Sequence, residues 1–529
     1  MLICGLIKED MMKRKVLAVL LTMAMTAAAL TGCGGGTESG SSGNGDTSGG
    51  EAQSTEAGGG SAEASSVLKD GKDNVITIVF PGNSSAPGSL EAVENALTEL
   101  ARETVDCTID LNILEWGVYS EQTNLMLSSG EDVDILFNMG TVQSSANSGQ
   151  ILNIADMAPV YAPETMEMLG QYIKACYVGD NLYGFPSVRQ FATGAGLVCR
   201  TDILEELGVD ASSIKTWEDV DVLLAQVKET HPELDVLVPA DLGAGMMRSA
   251  IFGTFDILQS NMAGVYADGR DGLTADSIYA SDEFMEIAKM AYDWNQKGYF
   301  IADSITLTDT RQTFLRAGSC FGYVGQVHPG TKTQESINAG CDVTVIPITD
   351  CVTGTNNVAG VQYTIPTGSD APEKALAVLN MIYTNPAAQN LLHYGIEGTD
   401  YIEVRDGVAG YPEGIDNTTV GWSNETWLTG NALIGLAWET DPDDIWEQYT
   451  EYNNNAVVSP AYGFTFDSAN VKTEITAVQN VLDKYTATIY SGMADPEEAV
   501  AQFNSELEAA GMPRIVEEMQ AQLDVWSAQ

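Results

Sequence analysis

Positive charge is scarce in this 529-residue chain: 24 Lys and Arg stand against 74 Asp and Glu, a formal net charge of −50. Binding a phosphate backbone needs a surface rich in Lys and Arg, so nucleic acid is excluded as a general partner. The same deficit argues against a body lying flat on an anionic bilayer. Histidine is scarcer still. The three present (His231, His328, His393) lack metal-ligand spacing, which speaks against a zinc enzyme. Cys-x-x-Cys, Gly-x-Gly-x-x-Gly and Gly-Lys-Ser/Thr are missing, which disfavours a dithiol redox site or a phosphate cradle. Gly-x-Ser-x-Gly is missing too, and with it the usual serine-hydrolase elbow. No cofactor and no metal are expected. The composition is otherwise that of a soluble globular protein, 44% apolar and 19% charged. The length calls for more than one core, since single cores stop growing near roughly 250–300 residues.

Long apolar runs are lacking as well. The uncharged stretch Val16–Leu30 falls short of the ~20 residues that a spanning helix needs. Lys13, Arg14 and Lys15 precede it and Leu30-Thr31-Gly32-Cys33 follows it, the layout of a secretion signal over 1–32. Glu9 and Asp10 ahead of the basic cluster place the expected start at Met11 or Met12. The Leu-x-Gly-Cys ending resembles the lipobox of bacterial lipoproteins, which implies that Cys33 carries lipid. Each buried CH₂ then contributes ~0.8 kcal/mol of anchoring. Residues 33–70 are expected to form that anchor and a tether. Gly34 to Ser66 is nearly all Gly, Ser, Glu, Ala and Thr, and a coil of this kind spans roughly 30 Å. Such a tether fits a single-membrane, thick-walled bacterium. The remaining thiols read mostly as core residues. Cys341 and Cys351 leave a hairpin disulfide open, because spacing cannot fix geometry.

The body begins with Val75–Phe80 (VITIVF), the pattern of a strand buried on both faces. A helix follows, with Ser89 as expected cap and apolar residues at Val93, Ala96, Leu97, Leu100 and Ala101. Strand Cys107–Leu114, helix Tyr119–Ser129 ended by Gly130, and strand Asp134–Asn138 complete a βαβαβ unit. That order implies parallel strands with right-handed crossovers. Ligands of open parallel sheets sit beyond the strands' carboxyl ends. The loops there (81–88, 115–118, 138–149) carry Asn83, Ser84, Trp116, Asn138 and Thr141. Amides and hydroxyls beside an aromatic plate suit a neutral polyol, whose C–H faces stack and whose hydroxyls bond. Turn chemistry and core packing compete as explanations for each of these residues singly.

Alternating strands and helices continue, with Thr201 and Thr216 as expected helix caps, and the tail from Asn470 onward reads as almost wholly helical. The leader, the tether, "LYGFP", "GLVCRTDILEELGV" with "TWEDV", and "PEKALAVLNMIYTNPAAQNLLHYGIEGTDY" together resemble extracellular solute-binding proteins of ABC transporters, in their sugar-type branch. The tail from "GFTFD" to "LDVW" is similar to a C-terminal domain of unknown function found in a subset of these lipoproteins.

The resemblance implies an α/β, two-lobed, periplasmic-binding-protein-like fold of the class II type, hinged, with a helical C-terminal extension. It places lobe 1 at 72–186 plus 364–420, lobe 2 at 192–358 plus 421–529, and hinges near Pro186–Ala192 and Gly360–Pro366. Hinge closure on a ligand must be driven by contacts from both lobes. Tyr183 and Arg189 flank the first hinge. Trp422 and Trp427 crowd with Trp438, and a helix would set Trp427 and Asn431 on one face. Gln326 and His328 follow a strand at another carboxyl edge.

The expected role is a lipid-anchored, monomeric, non-enzymatic protein on the outer face of the cell membrane. It would capture a carbohydrate, an oligosaccharide above all, and deliver it to permease subunits. Peptide or amino-acid binding stays open, as do a glycan adhesin and a secreted glycosidase. The last needs two carboxylates about 5–10 Å apart across a cleft, and among 74 acidic residues pairs such as Glu439/Asp441 or Asp443/Asp444 arise by chance.

Overall fold

The computed structural model describes residues 60–82, 86, 88–140, 142–259 and 261–528. The expected leader, Cys33 and most of the tether lie outside these residues. Where the tether was expected to continue as coil, Gly60–Leu68 is a helix. Ala64 is buried, and Leu68 packs against the core while its carbonyl accepts from Asp106 N–H. Composition masked this helix because its sequence, GSAEASSVL, is mostly the Gly, Ser, Ala and Glu of the tether before it. Among the described residues no helix is long and apolar enough to cross a membrane.

Strands Asn74–Gly82 (β1), Cys107–Glu115 (β2) and Ile135–Met139 (β3) run parallel in the order β2-β1-β3. Gly184–Pro186 (β4) is the next member of this sheet. The chain then leaves for a second sheet of Gly194–Arg200 (β5), Asp235–Leu237 (β6), Cys320–Val327 (β7) and Val343–Pro347 (β8). It returns as Val361–Thr364 (β9), which lies antiparallel to both β3 and β4. The first sheet is ordered β2-β1-β3-β9-β4 and the second β8-β5-β7-β6.

Each sheet carries its own core. Ile78, Phe80, Ile109, Leu111, Ile135, Phe137 and Tyr363 pack with helix Pro372–Thr384 in the first. Leu197, Val236, Phe321 and Ile346 pack with helices Trp217–Thr230 and Asp282–Gln296 in the second. The three C-terminal helices, Lys472–Tyr490, Pro496–Ala510 and Met512–Ser527, bury Val478, Leu482, Phe503, Ile515, Met519 and Leu523 in that same second core. The molecule is a two-lobed α/β protein.

Several local expectations change. Ser89 is the first helical residue, and Gly88 in the left-handed region (φ 96°) takes the cap position without a side-chain bond. Thr201 likewise sits inside its helix behind Arg200, its hydroxyl paired with Thr344. Thr216 does cap: it accepts from Asp219 N–H while Asp219 accepts from Thr216 N–H. The first crossing between sheets, 187–193, falls where a hinge was expected. The second runs through helix Thr355–Ala359 and ends before β9, because Tyr363 and Thr364 are buried strand residues of the first sheet. Segment 421–434 also differs from the expected division. Trp422 and Leu428 belong to the first core, and the chain rejoins the second core only at Ala461. Cys341 and Cys351 are free.

Candidate functional site

The helix Pro386–Tyr394 sets one wall of a cleft between the two lobes. A helix end leaves carbonyls without intrahelical partners. Here segment 422–424 supplies them. Trp422 Nε1 and Asn424 Nδ2 donate to the Leu392 carbonyl at 3.1 and 3.0 Å, and Asn424 N–H donates to the His393 carbonyl at 3.0 Å. The chain then turns at Thr426–Leu428, held by Ser187 Oγ donating to the Trp427 carbonyl at 2.7 Å and by the Tyr363 hydroxyl on the Leu428 carbonyl. This turn aims the Trp427 ring at Trp116, which follows the carboxyl end of β2; their centroids lie 5.6 Å apart at 41°. Gly82, at the same edge of β1, lets the backbone pass close: a Cβ there would meet Ile113 at 2.8 Å.

A second aromatic group lines the same cleft. Tyr394 stacks on Trp438 at 5.4 Å and 23°, Tyr411 packs edge-on to Trp438 at 4.7 Å, and Tyr394 stacks on His393 at 3.9 Å. The other lobe closes the far side with His328, Gly330 and helix Thr331–Ala339, which presents Thr333, Gln334, Ile337 and Asn338. Helix Ile445–Asn455 adds Trp446 and Tyr449, and the Trp446 Nε1 donates to the Gly435 carbonyl at 2.8 Å. The enclosed volume is about 690 Å³, within the range that holds a compact organic ligand.

Electrostatically the cleft is neutral to acidic. No Lys or Arg lines it among the described residues. Asp400 is buried and accepts from Ile396 N–H at 2.9 Å. Burial pushes the Glu425 carboxyl up, and does the same to Asp441, where the Thr333 hydroxyl partly offsets it. Burial also drives the His393 imidazole down to about 3, so it stays neutral, and lowers His328, whose Nδ1 lies 2.6 Å from the Pro329 carbonyl.

The sequence-predicted residues part company here. Trp116 and Trp427 line the cleft, and Trp422 lines it from beneath as a core residue, 2% exposed. Asn83, Ser84 and Thr141 lie outside the described residues. Asn138 does not line the cleft; its amide donates to the Gly140 carbonyl at 2.9 Å, which is turn chemistry. Tyr183 sits between two short strands, away from the cleft, its N–H directed to the Cys176 carbonyl. Arg189 is spent on backbone, donating to the Gln190 and Asn357 carbonyls at 2.7 and 3.2 Å. It thereby ties the first crossing to the second, and burial lowers it to about 10. Asn431 caps a separate turn and donates to the Tyr383 carbonyl, so no helix joins it to Trp427. Sequence reasoning missed Tyr394, Tyr411, Trp446, Tyr449 and helix 331–339. Its one available signal was aromatic density over 394–449.

A family model described as bacterial extracellular solute-binding protein matches residues 86–389. The chain belongs to this family. Its C-terminal residues 460–528 match a domain of unknown function, DUF3502. A carbohydrate ABC transporter substrate-binding protein of Streptococcus pneumoniae serotype 4 is 27% identical over 459 residues, covering 83% of this solute-binding protein and 88% of that relative. The crystal structure of an N-glycan transport solute binding protein (NgtS) from Streptococcus pneumoniae superposes with a TM-score of 0.74 at 25% identity, over 85% of this chain and 98% of that one. The same protein in complex with Man5GlcNAc superposes at 0.64, also at 25% identity, over 86% and 98%.

Proposed function

We propose that this solute-binding protein captures an uncharged oligosaccharide outside the cell and presents it to the permease of an ABC importer, without transforming it. The observation that carries this reading is the cleft itself. Tilted and stacked indole and phenol rings line one cleft together with amides and hydroxyls (Asn417, Asn424, Thr333, Gln334, Asn338), and among the described lining residues there is no Lys or Arg. Aromatic faces hold sugar C–H surfaces, and the polar rim bonds hydroxyls. A free peptide or amino acid would leave its carboxylate without a partner, at the cost of an unpaired buried charge. The carbohydrate-transporting relatives support the same reading. Lipid on Cys33 would hold the body at the membrane face, in keeping with the Lys13–Lys15 cluster and the Leu30–Cys33 ending.

The test is thermal-shift and calorimetric screening against neutral oligosaccharides, acidic oligosaccharides and peptides, with product analysis. A ligand at a hundred times its Kd adds about 2.7 kcal/mol of stability. Neutral sugars are expected to raise Tm and to be recovered intact. Stabilisation by peptides but by no sugar, or release of cleaved sugar, overturns the reading.

A further inference from the structure

The cleft continues past Asp441. A second chamber of about 1250 Å³, larger than the cleft, lies on the other flank of helix 331–339. His328, Gly330, Thr333, Ile337 and Asp441 line both spaces, so the two share a neck. Three elements build the second chamber: the far face of helix 331–339, strand β8, and the first turns of helix 445–455. β8 is an edge strand of its sheet, which leaves its outer side open to a guest. At the neck Ile337, which lines both spaces, keeps 46% of its surface exposed, a large apolar side chain open to a guest.

The chemistry of this chamber differs from that of the cleft. Aliphatic surface from Val345, Pro347 and Pro442 alternates with the hydroxyl of Thr440 and the amide of Gln448. Among the described residues its one phenol, Tyr452, has its hydroxyl committed to the Val327 carbonyl at 2.9 Å. Lys332, the cation on this path, is paired with Asp342 at 3.5 Å on the exposed rim. Such a surface offers van der Waals contact and scattered hydrogen bonds to a sugar, without stacking plates. It rewards extra rings modestly and does not anchor a ligand alone. A guest seated against Tyr449 and Asp441 in the cleft already stands at the mouth of this space.

We infer that the second chamber is a distal subsite for the far end of the same oligosaccharide, so that the preferred guest is longer or more branched than the cleft alone can hold. This rests on the carbohydrate reading of the cleft.

Calorimetric titration of the full chain with ladders of neutral oligosaccharides (manno-, xylo-, fructo- and N-glycan type, from two rings to eight) tests it. In the ladder that binds, affinity is expected to keep rising, by about tenfold or more, after the cleft is full. Gln448→Trp and Val345→Trp fill the chamber from opposite sides. Each is expected to abolish that gain while leaving the Kd of the shortest binding member unchanged, which also shows that the variant is folded. Affinity that levels off at the length filling the cleft overturns the inference, as does a long-ligand Kd that both variants leave untouched; the carbohydrate reading survives either result. Failure of every ladder overturns that reading and this inference with it.

Discussion

Trp116 and Trp422 are both indoles of the cleft, yet replacing them has opposite consequences. Trp116 is 39% exposed and touches Trp427 along one edge, whereas Trp422 is 2% exposed and donates to a helix-end carbonyl. A Trp side chain offers up to about 250 Å², so roughly 100 Å² of Trp116 stays free for a ligand. At about 25 cal/mol/Å² that area is worth ~2.5 kcal/mol, or about 60-fold in Kd. Trp116→Ala is therefore expected to weaken oligosaccharide binding by about 10- to 60-fold in calorimetric titration. Its cost to the free protein in urea unfolding is expected to be smaller than that of Trp422→Ala, because Trp116 already has 39% of its surface in water and truncation there opens no closed cavity. Trp422→Ala opens a cavity and strips Leu392 of a donor, so unfolding is expected to show a loss of ~3–5 kcal/mol. A Trp116→Ala protein that binds as tightly as the parent refutes the stacking argument. One that loses stability as Trp422→Ala does would show that both rings are core.

Three further outcomes follow from buried groups. Burial, tempered by the Ser459 hydroxyl, pushes the Asp256 carboxyl up to about 6, and one of its oxygens has no partner. The folded state thus holds this proton to higher pH than the unfolded chain does. Asp256's contribution is present below about pH 4 and lost as pH rises through about 6. Asp256→Asn is expected to gain up to about 3 kcal/mol relative to the parent at pH 7.5 and little at pH 4, measured as the difference in denaturation free energy at the two pH values. Asn453 accepts from Phe191 N–H at 2.6 Å and donates to the Arg189 carbonyl at 2.8 Å, which pins the first crossing. Asn453→Ala strands both backbone groups, and chemical unfolding is expected to register ~1–3 kcal/mol of destabilisation. Because the six cysteines among the described residues are free, a reducing agent is expected to leave Tm unchanged in differential scanning fluorimetry; a fall would reveal a disulfide.

Elements whose signal is local were legible in the sequence. VITIVF, the Gly130 stop and the Thr216–Asp219 box each settle their geometry over a few residues. Helix Thr331–Ala339 escaped because TKTQESINA has no apolar stripe: Thr331, Glu335 and Ala339 are its buried residues, and Gly330 opens it without a side-chain cap. The Ser89 and Thr201 caps missed by one position, since a neighbouring residue took the non-helical dihedrals. In the site, Trp422 and Trp427 look alike in sequence, and the backbone turn between them decides which ring enters the core. The second aromatic group was illegible for a different reason. Tyr394, Tyr411 and Trp438 meet only after the chain has doubled back on helix 386–394, a long-range event with no local periodicity.

Val478, Leu482, Phe503, Ile515 and Leu523 are structural members of the second lobe, although residues before 353 supply all four strands of its sheet. A chain emerging from the ribosome therefore carries a finished first core while the second stays unsealed until helix Met512–Ser527 is made. Domains fold as units once their parts are available, so this lobe has a built-in delay. The polypeptide remains threadable through most of its synthesis, and a truncation in the final sixty residues would yield an aggregation-prone half rather than a shortened binder.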